Sequence, residues 1–167
     1  MGQILLVTGG ARSGKSALAE ERALAHCGYA TYIATAQAFD GEMKERIAHH
    51  QARRAQGWTT VEAPLDLAGA LRQHDDAPCL VDCLTLWLTN LMLAERDWQD
   101  EARDLLSALA ARVLPVVLVT NEVGGGIVPD NALARAFRDA AGLLNQQVAS
   151  LADEVILAVC GLPLRVK

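Results

Sequence analysis

An α/β fold built on a mostly parallel sheet, with helices on both faces, is the class this sequence predicts. Three observations lead there. Strand-like apolar runs alternate with helix-like segments from one end of the chain to the other. Several of those runs, in "QILLVTGG", "CLVDCLT" and "PVVLVTNE", lack a polar residue at every second position, the pattern of strands buried on both faces. Polar or glycine residues then stand at the carboxyl ends of the strands, at Gly9, Thr35, Glu62, Asp82 and Asn121, where parallel sheets bind their ligands.

The elements follow in order. "QILLVTGG" is a buried strand ending in glycines, and "KSALAEERALAHC" a helix with Leu18, Ala19, Arg22, Ala23 and His26 at three- and four-residue spacing. "ATYIATA" is a second strand. "DGEMKERIAHHQARRAQ" is a helix with Asp40 as its N-cap. "WTTVEA" is a third strand, and Pro64 is expected in the first turn of the helix "PLDLAGALRQH". "CLVDCLT" is a fourth strand, followed by helices over 85–95 and 98–112. "PVVLVTNE" is the fifth strand, and a helix over 130–151 carries Leu133, Phe137, Leu144, Val148 and Leu151 along one stripe. "EVILAVCG" and "LPLRVK" are expected to form an antiparallel hairpin about Gly161 at a sheet edge. Without repeats, linkers or low-complexity tracts, residues 1–167 read as a single domain.

Composition narrows the partners. The chain has 167 residues, of which 51% are hydrophobic and 21% charged, enough for a compact core. A net charge of −5, with basic residues scattered except around 46–54, argues against nucleic acid. No apolar run reaches membrane-spanning length; the longest, "LLSALAARVLPVVLVT", is interrupted by Arg112 and Pro115. The short apolar start lacks a basic leader, so a soluble, cytoplasmic protein is expected. Cys27, Cys79, Cys83 and Cys160 have no C-x-x-C spacing and read as buried, reduced thiols. His26 and His74 read as surface residues, and Trp87 and Trp98 as packing between helices or subunits.

"GGARSGKS", Gly9 to Ser16, satisfies G-x-x-x-x-G-K-[ST] between a strand and a helix. This P-loop pattern curls the backbone of Gly9, Gly10, Ala11, Arg12, Ser13 and Gly14 so that its N–H groups meet phosphate oxygens. Lys15 reaches the outer phosphates, the Ser16 hydroxyl ligates Mg²⁺, and Arg12 adds a cation. The pattern also calls for a carboxylate at the end of another apolar strand, a role Asp82 fills as the second magnesium partner. The chain therefore reads as a nucleoside triphosphate enzyme.

The helix over 40–56 carries His49 and His50 side by side. Neighbouring residues point about 100° apart, so the two rings cannot serve one site together. His50 shares its stripe with Met43, Ile47 and Arg54 and faces inward; His49 lies with Glu42, Glu45, Arg46 and Arg53 on the more solvated side. Two readings of His50 stand side by side: a hydrogen-bonded histidine at the core boundary, or a nucleophile. Nearby arginines favour the neutral imidazole that attack on phosphorus requires, and would steady the charge that develops.

Taken whole, the chain resembles the bifunctional adenosylcobinamide kinase / adenosylcobinamide-phosphate guanylyltransferase family of cobalamin biosynthesis. The resemblance rests on "TGGARSGKS", "YIATA", the D-G-EM-ERI-HH block through "RR" and "W", "CLVDCLT", "TN" at 89–90, and "VLVTNEVGGGIVP" with "N-LAR-FRDAAG-LNQ" after it. It implies a RecA-like P-loop fold and two reactions. One phosphorylates adenosylcobinamide with ATP or GTP. The other moves GMP from GTP onto a histidine, here His50, and then onto adenosylcobinamide phosphate. It implies GTP contacts at Gly9 to Ser16, at Ala34, Thr35 and Ala36, at Gln51, Ala52, Arg53 and Arg54, and at Glu62 and Asp82. It also implies a homotrimer, with GTP or ATP and Mg²⁺ as substrates and no resident cofactor. Serving both reactions with one loop calls for movement of the 40–56 helix. The competing readings are a P-loop small-molecule kinase without guanylyl transfer, and a nucleotide-gated switch, against which the missing N-K-x-D guanine reader counts. The polar segment "TNEVGGGIVPDN" (120–131) is a further candidate for corrinoid or nucleotide contact.

Overall fold

The computed structural model describes residues 2–37 and 57–167. Among the described residues seven strands form one sheet: β1 (Ile4–Gly9), β2 (Ala30–Ala34), β3 (Trp58–Glu62), β4 (Cys79–Asp82), β5 (Val116–Val119), β6 (Glu154–Val159) and β7 (Leu162–Arg165). Their spatial order is β3-β2-β4-β5-β1-β6-β7. All neighbours run parallel except β6 and β7, the expected edge hairpin. Cys160 and Gly161 both have positive φ, the turn whose twist suits a two-residue hairpin connection. The helices are α1 (Lys15–Leu24), α2 (Leu67–Gln73), α3 (Leu84–Leu93), α4 (Trp98–Ala111) and α5 (Ala132–Leu151).

The sheet buries both faces, which is why its central strands read as unbroken apolar runs. On one face Ile4, Leu6, Ile33, Val81 and Leu118 pack under α2 to α5, around the fully buried Trp87. On the other, Leu5, Val7, Tyr32, Leu80 and Val117 meet Ala19 and Ala23 of α1, whose small side chains let that helix lie close to the sheet. Trp87 Nε1 donates to Leu65 O at 2.8 Å, and half-buried Trp98 packs against the same cluster. Among the described residues no helix is long and apolar enough to cross a membrane.

Several local expectations are corrected. Pro64 precedes α2 instead of opening it. Asp66 is the N-cap, its carboxylate accepting from Gly69 N at 2.9 Å, and a capping carboxylate outweighs the proline signal. Leu133 is 62% exposed; the helix buries Ala140, Ala141, Leu144 and Val148, all in its later turns. Cys79 and Cys83 are buried thiols, but Cys27 and Cys160 are exposed. His26 is exposed, whereas His74 is half-buried at the end of α2. The helix expected over 40–56 lies outside the described residues.

Arg112, which reads in the sequence as an interruption of an apolar run, is buried at the end of α4. Its guanidinium donates to the carbonyls of Leu71 (2.6 Å), His74 (2.9 Å) and Ala77 (2.6 Å). One cation thereby reaches a carbonyl in the last turn of α2, that of its C-cap His74, and one in the segment beyond it.

Candidate active site

β1 delivers the chain to the phosphate loop. Gly14, at φ +93°, ends the loop in a conformation open to glycine, and a Cβ there would lie 3.0 Å from Gly161 Cα. Gly161 N donates to Ser13 O at 2.9 Å, so the β6–β7 turn supports the loop from behind. Arg12, also at positive φ, stands on the exposed rim with Gly10, Ala11 and Gly14; Ser13, Lys15 and Ser16 are half-buried. Lys15 Nζ donates to Gly10 O at 3.0 Å, folding its stem back across the loop. α1 opens with no side-chain cap and no acidic residue in its first turn. Its free N–H groups and positive end face the loop uncompensated, as an anion site requires.

The other strand ends are ranked by distance from this loop. β5 is adjacent to β1, β4 is one strand further, and β3 is the far edge. At a strand spacing of about 4.8 Å, Asp82 stands roughly 10 Å across the sheet from the loop strand, and Glu62 roughly 19 Å. Asp82 is therefore the nearer of the two carboxylates to the loop, and Glu62 the farther. Ser16 and Asp82 fit a magnesium nucleotide. Asp82 is half-buried at a strand end, and one carboxylate oxygen accepts the Tyr32 hydroxyl. The second takes no hydrogen bond among the described residues. Magnesium needs few protein ligands when phosphates and water complete its shell. Glu62 is exposed, and Ala34 and Ala36 are half-buried.

Thr35 is committed elsewhere. It is fully buried; its hydroxyl accepts from Cys83 N at 2.8 Å and lies 2.8 Å from Cys83 O as a donor, while its amide donates to Asp82 O at 3.0 Å. Asn90 Nδ2 donates to Thr35 O (2.7 Å) and to Pro64 O (3.0 Å), clamping this strand end from α3. What this strand end leaves for a ligand is the half-buried Ala34 and Ala36 on either side. Asn121 donates through both its amide (3.0 Å) and its Nδ2 (2.9 Å) to Thr85 Oγ1. Burial, then the neighbouring Asp82 carboxylate, raises the Cys83 thiol; burial pushes Cys79 up to about 11.

One pairing here escapes sequence reasoning, although Glu122 itself lies in the 120–131 segment already singled out. Glu122 follows Asn121, and its Oε1 accepts from the Thr8 hydroxyl at 2.7 Å. The loop after it is held by α5: Arg138 donates to Gly124 O at 2.5 Å, and Arg135 to Pro129 O and Asp130 O. A threonine before a glycine loop carries no local signal of a carboxylate from 114 positions away. His49, His50, Gln51, Ala52, Arg53 and Arg54 lie outside the described residues.

A parallel sheet leading through a glycine loop into an uncapped helix defines a P-loop NTPase fold. Solved structures share it. The flagellar accessory protein FlaH of Methanocaldococcus jannaschii has a TM-score of 0.53 at 12% identity, over 93% of this chain and 70% of its own. A KaiC-like protein of Pyrococcus horikoshii gives 0.51 at 13%, over 93% and 71%. Within that fold, residues 5–166 match the CobU family, described as cobinamide kinase / cobinamide phosphate guanyltransferase. The bifunctional adenosylcobalamin biosynthesis protein CobP of Pseudomonas aeruginosa is 50% identical, over 97% of this chain and 96% of its own length. The bifunctional adenosylcobalamin biosynthesis protein CobU of Salmonella typhimurium is 43% identical, over 98% and 99%. The chain belongs to the cobinamide kinase / cobinamide phosphate guanyltransferase family, and is a bifunctional enzyme of that kind.

Proposed function

We propose that this chain, acting as one nucleotide-binding domain, phosphorylates the aminopropanol hydroxyl of adenosylcobinamide with ATP or GTP. It then transfers GMP from GTP, through a guanylylated histidine, to adenosylcobinamide phosphate, giving adenosylcobinamide-GDP. The observation that carries this reading is the family match over residues 5–166, which runs through both the glycine loop and the histidine block. The open positive end of α1 and the Lys15 ammonium are suited to stabilising charge on a triphosphate. Ser16 and Asp82 would hold the magnesium that accompanies the nucleotide and neutralises its phosphates.

In the transferase half, the imidazole of His50 forms a bond to the α-phosphorus of GTP and pyrophosphate leaves. The phosphate oxygen of adenosylcobinamide phosphate then displaces the imidazole, forming the diphosphate and freeing the ring. Arg53 and Arg54 fit a role beside the phosphates, with Gln51, Ala52, Ala34, Thr35, Ala36 and Glu62 at the nucleoside. A homotrimer in the cytoplasm is the assembly and location we assign by the same resemblance.

Incubation with GTP labelled at the α-phosphate tests the reading. Label that is acid-labile, alkali-stable and retained on the wild type, and lost in His50→Ala, is the expected result. Protein that stays unlabelled while still phosphorylating cobinamide would make the chain a kinase alone.

A further inference from the structure

We propose that Glu122 accepts the hydroxyl proton of the alcohol substrate in the kinase half-reaction; this deepens the functional reading above and rests on it. β5 lies between β1, which leads into the glycine loop, and β4, which ends at Asp82. Its carboxyl end therefore opens onto the ground between the loop and the magnesium carboxylate. Glu122 is stitched to the last two residues of β1. Its amide donates to Gly9 O at 3.1 Å, and its Oε1 accepts from the Thr8 hydroxyl at 2.7 Å. Despite these two ties the residue is exposed, and among the described residues it forms no ion pair and its Oε2 accepts no hydrogen bond.

A carboxylate held through one oxygen, with the other presented at the mouth of a phosphate site, has the geometry of a general base. The neighbouring cation does not compete for it, because Arg138 spends its guanidinium on Gly124 O. Directly beyond Glu122, Val123, Ile127 and Val128 are exposed, Ile127 to 97%. They give a bulky, partly apolar acceptor a surface to lean on at the side where its hydroxyl must enter. In the step, the alcohol oxygen forms a bond to the γ-phosphorus. The bond from γ-phosphorus to the β,γ-bridging oxygen breaks, its electron pair leaving with the nucleoside diphosphate. The alcohol proton passes to Glu122 Oε2.

Glu122→Gln separates this role from a structural one, since the amide oxygen still accepts from Thr8 but cannot take a proton. The expected result is a fall of about 10²- to 10⁴-fold in kcat for cobinamide phosphorylation. Affinity for MgATP stays within about twofold by calorimetry, and Glu122→Asp recovers part of the rate. Self-guanylylation from α-labelled GTP persists in Glu122→Gln, because attack by an imidazole releases no alcohol proton. A kinase kcat within about threefold of wild type overturns the assignment, as does a parallel loss of nucleotide affinity and self-guanylylation. A wild-type chain that phosphorylates no cobinamide overturns the functional reading, and this role falls with it.

Discussion

At Gly14 the reason for the residue is set by two neighbours. Its φ of +93° lies where L side chains are strained, and an added Cβ would press to 3.0 Å on Gly161 Cα. Backbone, not a pliable side chain, blocks the space, so Gly14→Ala must shift either the loop or the hairpin turn behind it. We expect it to weaken MgATP binding at least tenfold by calorimetry, with circular dichroism unchanged. Much of the loop was legible residue by residue, because G-x-x-x-x-G-K-[ST] constrains backbone shape within eight consecutive positions. Thr8 and Glu122 were not legible as a pair. Nothing in "VTGG" or "TNEVG" states that these two side chains meet; only β1 and β5 lying side by side brings them together.

Elements show the same division. Hydrophobic periodicity located every described helix, since a 3.6-residue stripe is a local property, but it misjudged ends and faces. Leu133 continues the stripe of α5 and is exposed, because a stripe says which residues share a face and not which of them meet a neighbouring element. Arg112 is the clearest case. A charge in an apolar run looks like a break, yet it joins the end of α4 to the carbonyls of Leu71, His74 and Ala77. Arg112→Met keeps the length of the stem and strands Leu71 O, while His74 O and Ala77 O keep only the longer contacts from the Cys79 thiol. With about 1–3 kcal/mol for a buried group left unsatisfied, we expect a loss of about 1–3 kcal/mol in urea unfolding. The exposed Arg72–Asp104 pair, which also links α2 to α4, should contribute little by comparison.

Across the whole molecule, sheet burial divides the four cysteines into two classes. Cys27 and Cys160 are exposed and Cys79 and Cys83 buried, so a thiol reagent near neutral pH should titrate two groups in the native protein and four in denaturant. Burial raises Cys79 from 9.0 to about 11, so between those pH values the native state holds a proton that the unfolded state has lost. The stability tied to this thiol is therefore complete below pH 9 and declines as pH rises toward 11. Burial of Cys83 acts in the same direction. Unfolding midpoints should fall across that window, and Cys79→Ala should blunt the fall.

By itself the sequence determined the α/β class, the strand and helix succession, the glycine loop, and the edge hairpin. Each depends on residues close together along the chain, where periodicity and backbone preference act directly. Tertiary structure decided the strand order β3-β2-β4-β5-β1-β6-β7, and with it the placing of Asp82 and Glu122 nearer the loop than Glu62. It also decided that Thr35 would brace a strand end and that Arg112 would cap a helix. Those outcomes turn on hydrogen bonds and packing between distant segments, which exist only once the crossovers have chosen which strands lie together.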